Sequence, residues 1–118
     1  MVKILIVEDD MNELYFWKRE LRGVAEILEA TTLQEAYHFL DTEQFDVVVM
    51  DACLQSNNIN TSNLTREVRR SFKGPMIASS SDPAFRKELV VAGCDYNCPK
   101  EFVGQKIKEI LKEISTAS

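Results

Sequence analysis

Two kinds of apolar pattern alternate strictly along this chain, and that alternation constrains its fold more than any other feature. Short continuous apolar runs, typical of buried parallel strands, are each followed by a segment with apolar residues at helical spacing. Strict alternation implies right-handed crossovers and a parallel sheet covered on both faces. We therefore predict a three-layer α/β/α domain with five helices and with strands at 2–7, 24–30, 45–50, 76–79 and 95–98.

Helix-start signals support this division of the chain. Thr32 and Glu35 have the spacing of a capping box, and Asp82 precedes Pro83 as an N-cap followed by proline at the first helical position. These signals place the starts of the second and fourth helices directly after predicted strands.

Length and charge narrow the class of protein. The chain has 118 residues, which is the size of one domain, and its 14 basic and 19 acidic side chains give a net charge of −5. This acidic balance argues against direct nucleic-acid binding and against binding to anionic membranes. Three cysteines do not make a disulfide framework, so a cytoplasmic protein is expected. We expect a single domain over 1–118, with 115–118 as a tail.

Charged and hydroxyl side chains follow several of the predicted strands. In an open parallel sheet, ligands bind outside the carboxyl ends of the strands, and those ends are followed here by Glu8, Asp9, Asp51, Ser80 and Lys100. Carboxylates packed together repel unless a cation joins them, and a hard cation such as Mg²⁺ prefers oxygen ligands. An aspartate carboxylate can also attack phosphorus to give an acyl phosphate. This pattern favours a metal-dependent phosphoryl site.

Four segments together resemble the receiver domain of two-component response regulators, in an order and spacing that cover essentially the whole chain. The resemblance implies a flavodoxin-like, doubly wound five-stranded sheet with strand order 2-1-3-4-5. The segments are Ile4-Leu-Ile-Val-Glu-Asp-Asp10, Phe45-Asp-Val-Val-Val-Met-Asp51, Pro75-Met-Ile-Ala-Ser-Ser-Ser81 and Ala92-Gly-Cys-Asp-Tyr-Asn-Cys-Pro-Lys100.

The resemblance assigns the metal and phosphoryl roles to individual positions. Asp51 matches the phosphoacceptor, while Glu8 and Asp9 match the acidic pair, with Asp9 expected as the direct ligand of Mg²⁺ or Mn²⁺. Cys53 matches the position whose backbone carbonyl binds the metal. The expected metal site is therefore formed by Glu8, Asp9, Asp51 and Cys53.

Further positions of the family's pattern concern the phosphoryl group itself. Ser80 matches the switch hydroxyl and Lys100 matches the lysine that contacts phosphoryl oxygens. Cys53 and Asp82 match the two positions that tune the lifetime of the acyl phosphate. Because cysteine organises an attacking water poorly, we predict slow self-dephosphorylation.

The chain departs from the family's pattern around this site. Gln55 and Ile59 stand where proline and glycine are common, and Glu101 stands where proline commonly follows the lysine. The aromatic switch position is occupied by Asn97, with Tyr96 beside it. The chain therefore need not share the family's loop conformation over the site or its cis peptide after the lysine. It also need not share an aromatic switch residue that moves together with Ser80.

Three functions remain to be separated. The first is a phosphorylation-switched signalling domain, which receives phosphate from a sensor histidine kinase or phosphotransfer domain and binds an effector through its last two helices. It is not an enzyme beyond its own phosphorylation and dephosphorylation, and homodimerisation stays open. The second is a pseudo-receiver, an interaction module without phosphorylation. The third is an aspartate-nucleophile phosphatase, which needs a second acid where this chain has Cys53.

Overall fold

The structure, a computed structural model, describes residues 1–117, in which strands and helices alternate as predicted. The strands are β1 (Lys3–Val7), β2 (Glu26–Ala30), β3 (Val47–Asp51), β4 (Met76–Ser79) and β5 (Tyr96–Cys98). The helices are α1 (Met11–Glu20), α2 (Leu33–Thr42), α3 (Ser62–Ser71), α4 (Pro83–Ala92) and α5 (Val103–Ala117), with a 3-10 turn at Lys100–Phe102 before α5.

The strands form one parallel sheet in the order β2-β1-β3-β4-β5, which confirms the predicted flavodoxin-like fold. The strand order reverses next to β1, so the carboxyl ends of β1 and β3 flank the crevice in which such sheets bind ligands.

Each face of the sheet has its own core, because alternate residues of a parallel strand point to opposite faces. Ile4 and Ile6 of β1 pack with Leu14 of α1 and Ile107 of α5 on one face. On the other face, Leu5 and Val7 belong to the cluster that includes residues of α2, α3 and α4. Every residue of β3 is buried, so the centre of the sheet is covered on both sides.

Several boundaries differ from the sequence prediction: β1 and β5 each begin one residue later than expected, and β3 covers Val47–Asp51 instead of 45–50. β2 begins at Glu26 instead of residue 24, because the amides of Val24 and Ala25 both bond to the Leu21 carbonyl and close the turn after α1. α5 continues to Ala117, through most of the segment 115–118 that was expected as a tail, since no glycine or proline after Gly104 ends the helix. Ser118 lies outside the described residues.

Capping side chains fix the helix starts next to the strand ends. The Asp82 carboxylate accepts from the Ala84 amide at 2.8 Å, and the Thr32 hydroxyl accepts from the Glu35 amide at 3.1 Å. The Glu35 carboxylate reaches back to the Thr31 amide at 3.0 Å, one residue before the position that a standard capping box uses. None of the described helices combines the length and apolar character needed to cross a membrane.

Candidate functional site

The carboxyl ends of β1, β3 and β5 bring two carboxylates and one ammonium group together. Lys100 Nζ lies 3.0 Å from Glu8 Oε1 and 3.6 Å from Asp51 Oδ1. Glu8 is fully buried, Asp51 is 3% exposed, and the side chain of Lys100 is 20% exposed. Charges this close and this poorly hydrated interact far more strongly than they would at an open surface. The sequence-predicted residues Glu8, Asp51 and Lys100 therefore form one site.

The backbone fixes Glu8 in place. Glu8 Oε2 accepts hydrogen bonds from the amides of Asp9 and Asp10, both at 3.1 Å, at the start of α1. Its second oxygen faces Lys100 Nζ. Because both oxygens are engaged, Glu8 is better suited to orienting Lys100 than to binding a metal directly.

Hydrogen bonds to its carbonyl and to its carboxylate hold Asp51 at the end of β3. Its carbonyl accepts a hydrogen bond of 2.6 Å from the buried hydroxyl of Thr61, and the Cys53 amide lies 3.4 Å from Oδ1. Burial and the neighbouring Glu8 carboxylate raise the pKa of Asp51 to about 8, and Lys100 offsets only part of that rise. Without a further cation the site thus opposes ionisation of Asp51.

Lys100 responds to the same charges in the opposite sense. Burial alone would lower the pKa of its ammonium, but the Asp51 and Glu8 carboxylates outweigh burial and raise it. The Trp17 indole donates a hydrogen bond to the Lys100 carbonyl at 3.3 Å and so fixes the backbone beneath the ammonium. Residues 1–117 contain no cis peptide bond, and Pro99 before the lysine is extended.

The acidic group fits a hard divalent cation. One carboxylate oxygen from each of Glu8, Asp9 and Asp51 lies within 4.8 Å of the others. Three carboxylates against the single ammonium of Lys100 leave negative charge in excess, and oxygen donors are those that Mg²⁺ prefers. Asp9 is half-buried, and its Oδ2 accepts only from the Gln55 amide, at 2.9 Å, among the described residues. Asp9 and Asp51 are therefore the carboxylates best placed to bind the cation.

These residues line an open cleft of about 510 Å³. Cys53 is half-buried and lines it together with Ser80 and Asp82 from the β4–α4 side. Burial raises the pKa of the Cys53 thiol, and the Asp51 carboxylate adds to the rise, so the thiol stays neutral. The cleft thus brings together the predicted metal, phosphoryl-binding and tuning positions.

The loop beside this cleft is closed without the proline and glycine that the resemblance leads one to expect. The Asn60 side chain accepts a hydrogen bond from the Leu54 amide and donates one to the Leu54 carbonyl, both at 2.8 Å. Its carboxamide thus makes the pair of bonds that a backbone residue of a neighbouring strand would make. Gln55 takes a positive φ of 55°, which is unusual for a residue with a side chain. Asn60 therefore supplies the hydrogen bonds that hold the loop, and the Gln55 amide ties it to Asp9.

The two candidates for the aromatic switch position lie on opposite faces of β5. Asn97 pairs in register with Ala78, is exposed, and accepts a hydrogen bond of 2.5 Å from Arg86 Nε. Tyr96 is half-buried against the core that contains α1 and α5, with Lys106 Nζ 4.7 Å from its ring centre. Ser80 comes two residues after Ala78, the register partner of Asn97, so Tyr96, on the other face of β5, does not stand in for the missing aromatic residue.

Sequence reasoning missed three residues that shape the site: Thr61, Trp17 and Arg86. Each contacts the backbone of a site residue, through the carbonyl of Asp51, Lys100 or Ser80. A side chain that bonds to a distant backbone carbonyl leaves no periodicity or spacing in the sequence. Only the position of Thr61 directly before α3 gave a local signal, since threonine is common at helix starts.

Comparison with known proteins gives a consistent result. The family model described as "Response regulator receiver domain" matches residues 4–112. No curated protein matches the chain in sequence.

Solved structures with this fold share little sequence with the chain. A two-component response regulator from Clostridium difficile has a TM-score of 0.81 at 21% identity, and the match covers 97% of this chain and 98% of that one. A CheY-like receiver domain protein from Methanospirillum hungatei JF-1 has a TM-score of 0.74 at 24% identity, with 100% and 99% covered. A Burkholderia pseudomallei response regulator, described with a phosphorylated aspartic acid, calcium ion and citrate, has a TM-score of 0.79 at 17% identity, with 99% and 72% covered. At such identities the likeness shows the fold alone.

Proposed function

Because the chain belongs to the response regulator receiver domain family, a signalling family of two-component systems, we propose that Asp51 accepts a phosphoryl group in a Mg²⁺-dependent reaction. Receiver domains interact with histidine kinases and with effector domains. The phosphoryl donor proposed here is a phosphohistidine of a sensor kinase or of a phosphotransfer domain. The proposed result is a change in the surface that binds an effector.

The meeting of Lys100 with Glu8 and Asp51 is the observation that carries this proposal. A buried carboxylate at the end of the central strand, 3.6 Å from an ammonium and beside two further acids, is costly to maintain for stability alone. The same arrangement suits the transfer of a group that carries negative charge. An ammonium stabilises phosphoryl oxygens, and the nearby acids can hold a dication.

The proposed step follows from this geometry. An Asp51 carboxylate oxygen forms a bond to phosphorus while the bond from phosphorus to the histidine nitrogen breaks. The electron pair of that bond returns to the imidazole ring, which takes up a proton from solvent. Lys100 stays within reach of the oxygens of the transferred group, and Glu8 keeps its ammonium oriented. The Thr61 hydroxyl holds the Asp51 backbone during the change.

The metal part of the proposal uses this chain's own oxygen donors. Asp9, Asp51 and the backbone carbonyl of Cys53 would hold Mg²⁺ or Mn²⁺, with Glu8 behind them. When bound, the cation neutralises charge on the phosphoryl oxygens. Asp9 remains oriented toward the site by the Gln55 amide.

The switching part concerns the β4–α4 side of the cleft. We expect the Ser80 hydroxyl to bind a phosphoryl oxygen and to draw the start of α4 toward Asp51. The surface formed by α4, β5 and α5 would then present a different shape to an effector or to a second copy of the chain. Cys53 and Asp82, which border the cleft, are the positions expected to set a slow loss of phosphate.

Intact-mass measurement after incubation with Mg²⁺ and acetyl phosphate tests this function. We expect the mass of one phosphoryl group to be added, and the gain to disappear with EDTA or in Asp51→Asn. The matched control is Asp41→Asn, which removes an exposed aspartate remote in sequence from the site residues and should leave the gain intact. The absence of any gain, or a gain that survives in Asp51→Asn, would favour the pseudo-receiver, an alternative that the substitutions at Gln55 and Asn97 also suggest.

A further inference from the structure

Arg86 on α4 connects the phosphoryl side of the site to the exposed face of β5. Its Nη1 donates a hydrogen bond of 2.6 Å to the Ser80 carbonyl, and its Nε donates one of 2.5 Å to Asn97 Oδ1. Arg86 is half-buried and lies in the first turn of α4, where its own amide bonds to the Asp82 carbonyl at 3.1 Å. One guanidinium thus joins the loop after β4 to the middle residue of β5.

Ser80 is held from both of its polar ends. Its hydroxyl oxygen accepts from the Asp82 amide at 3.1 Å, while its carbonyl is bonded to Arg86. Within residues 1–117 the hydroxyl donates no hydrogen bond, so its proton is available for a new acceptor in the cleft. Rotation of the side chain alone would break the bond from the Asp82 amide, so a movement of the Ser80 hydroxyl toward Asp51 that keeps this bond displaces the backbone of 80–82, including the Ser80 carbonyl.

The guanidinium loses its alignment with Asn97 when it follows such a displacement. Its donors are fixed in one plane, so turning toward a displaced Ser80 carbonyl turns Nε away from its other acceptor. Asn97 lies in an edge strand of three residues, is exposed, and pairs in register with Ala78, two residues before Ser80. Loss of the Arg86 bond therefore frees a carboxamide at the surface between α4 and β5.

We propose that Arg86 is a positioning residue that couples Ser80 to Asn97, so that phosphorylation of Asp51 releases the Asn97 side chain. A polar link thus operates at the position where the resemblance leads one to expect an aromatic residue. This inference rests on the proposed function, because it requires a phosphoryl group on Asp51. It adds that the signal reaches the surface of β5 through a guanidinium and a carboxamide.

The test follows the Asn97 side-chain amide by NMR in ¹⁵N-labelled protein, with Mg²⁺, before and after acetyl phosphate is added. The extent of phosphorylation is measured by intact mass on the same sample. We expect the Asn97 signal of the unchanged chain to shift on phosphorylation. In Arg86→Gln, compared at the same measured extent of phosphorylation, we expect an undiminished change at the Ala52 and Cys53 amides but a loss of more than half of the shift at Asn97.

Lys87→Gln is the matched control, because Lys87 is the exposed cation next to Arg86 on the same helix. It should behave as the unchanged chain does. Failure of the unchanged chain to take up phosphate overturns both the proposed function and this inference. Normal uptake with an unmoved Asn97 signal, or with the same shift in Arg86→Gln, overturns the coupling alone.

A second variant serves if Arg86→Gln does not fold. Asn97→Ala removes an exposed side chain and leaves the Arg86 bond to Ser80 in place. We expect its Arg86 Nε–H signal to lie, before phosphate is added, near the position that the phosphorylated unchanged chain reaches. A signal that stays at the unphosphorylated position contradicts the proposed link.

Discussion

At the scale of single residues, the site combines burial with charge in a way that disfavours the unliganded protein. Asp51 is nearly inaccessible to water, and its pKa is raised to about 8 by that burial and by the carboxylate of Glu8. Lys100 relieves only part of this cost. Strained electrostatics of this kind are typical of functional sites, where a bound cation or a transferred group supplies the missing interaction.

The first prediction concerns the stability of Asp51→Asn in buffer without divalent cations. The native pKa of Asp51 is raised, so between the ordinary value of 3.8 and about 8 the native state keeps a proton that the unfolded chain has released. Stability contributed by this group is therefore complete below that window and is lost as pH rises through it. Asparagine cannot ionise, so Asp51→Asn should be more stable by about 1–3 kcal/mol at pH 8 and should gain little at pH 4.

Urea unfolding of both proteins across this pH range measures the difference. Asp41→Asn, at an exposed position, should show no such pH-dependent gain. A constant difference between Asp51→Asn and the unchanged chain from pH 4 to pH 8 would contradict the explanation.

At the scale of elements, the sequence predicts the positions of strands and helices better than it predicts the side-chain contacts between them. The apolar run of β3 and the Asp82-Pro83 start of α4 follow from local chemistry, and both are confirmed. The family resemblance predicts that Asp51 and Lys100 share a site, and their side chains lie 3.6 Å apart, because both positions lie at or just after strand ends, at a fixed spacing. The contact of Arg86 with Asn97 joins residues of two elements through side chains, and no local pattern encodes it.

The second prediction compares two glycines with positive φ. Gly93 ends α4 with φ 141°, and a Cβ there would lie 3.0 Å from Arg69 Cβ. Arg69 cannot give way easily, since its guanidinium bonds to three backbone carbonyls and to Asp95. Gly23 has φ 77° and open space around it. We expect Gly93→Ala to destabilise by about 2–4 kcal/mol and Gly23→Ala by only about 1 kcal/mol.

Chemical denaturation of the two variants decides this comparison. Equal losses of unfolding free energy would contradict the expectation that the contact with Arg69 adds to the cost at Gly93. A smaller loss in Gly93→Ala than in Gly23→Ala would reject the argument.

At the scale of the whole molecule, alternation of apolar patterns was sufficient to predict the three layers, because a parallel sheet must be covered on both faces. The order of the strands came from the resemblance instead, since periodicity does not say which strands are neighbours. The polar residues after Ile114 predict a tail, whereas α5 continues to Ala117 because no glycine or proline there ends the helix. Cation binding at the site should in turn stabilise the molecule as a unit.

The third prediction is that Mg²⁺ raises the free energy of unfolding of the entire domain. A ligand that binds only the native state stabilises it by about 2.7 kcal/mol at a concentration 100 times its Kd. Asp9→Asn should weaken this effect about tenfold or more in the Mg²⁺ concentration required, because it removes a ligand charge. Thermal unfolding in a Mg²⁺ series measures the effect, and fluorescence of Trp17, which bonds to the Lys100 carbonyl, gives a second readout.

Asp41→Asn again provides the comparison, and it should respond to Mg²⁺ as the unchanged chain does. If Asp9→Asn is stabilised over the same concentration range, Asp9 does not bind the cation and the assignment of the metal site is wrong.

The burial of every residue in β3 has a mechanical consequence. A strand that is enclosed on both faces by packed side chains is rigid, and Asp51 is the last residue of this strand. A reaction at Asp51 can therefore move the adjacent loops and the neighbouring helix starts, but not the strand itself. A phosphorylation signal would thus be carried by movement of the loops and helix starts around an immobile central strand. Substitutions in those peripheral segments can then change which partner binds without affecting phosphorylation of Asp51.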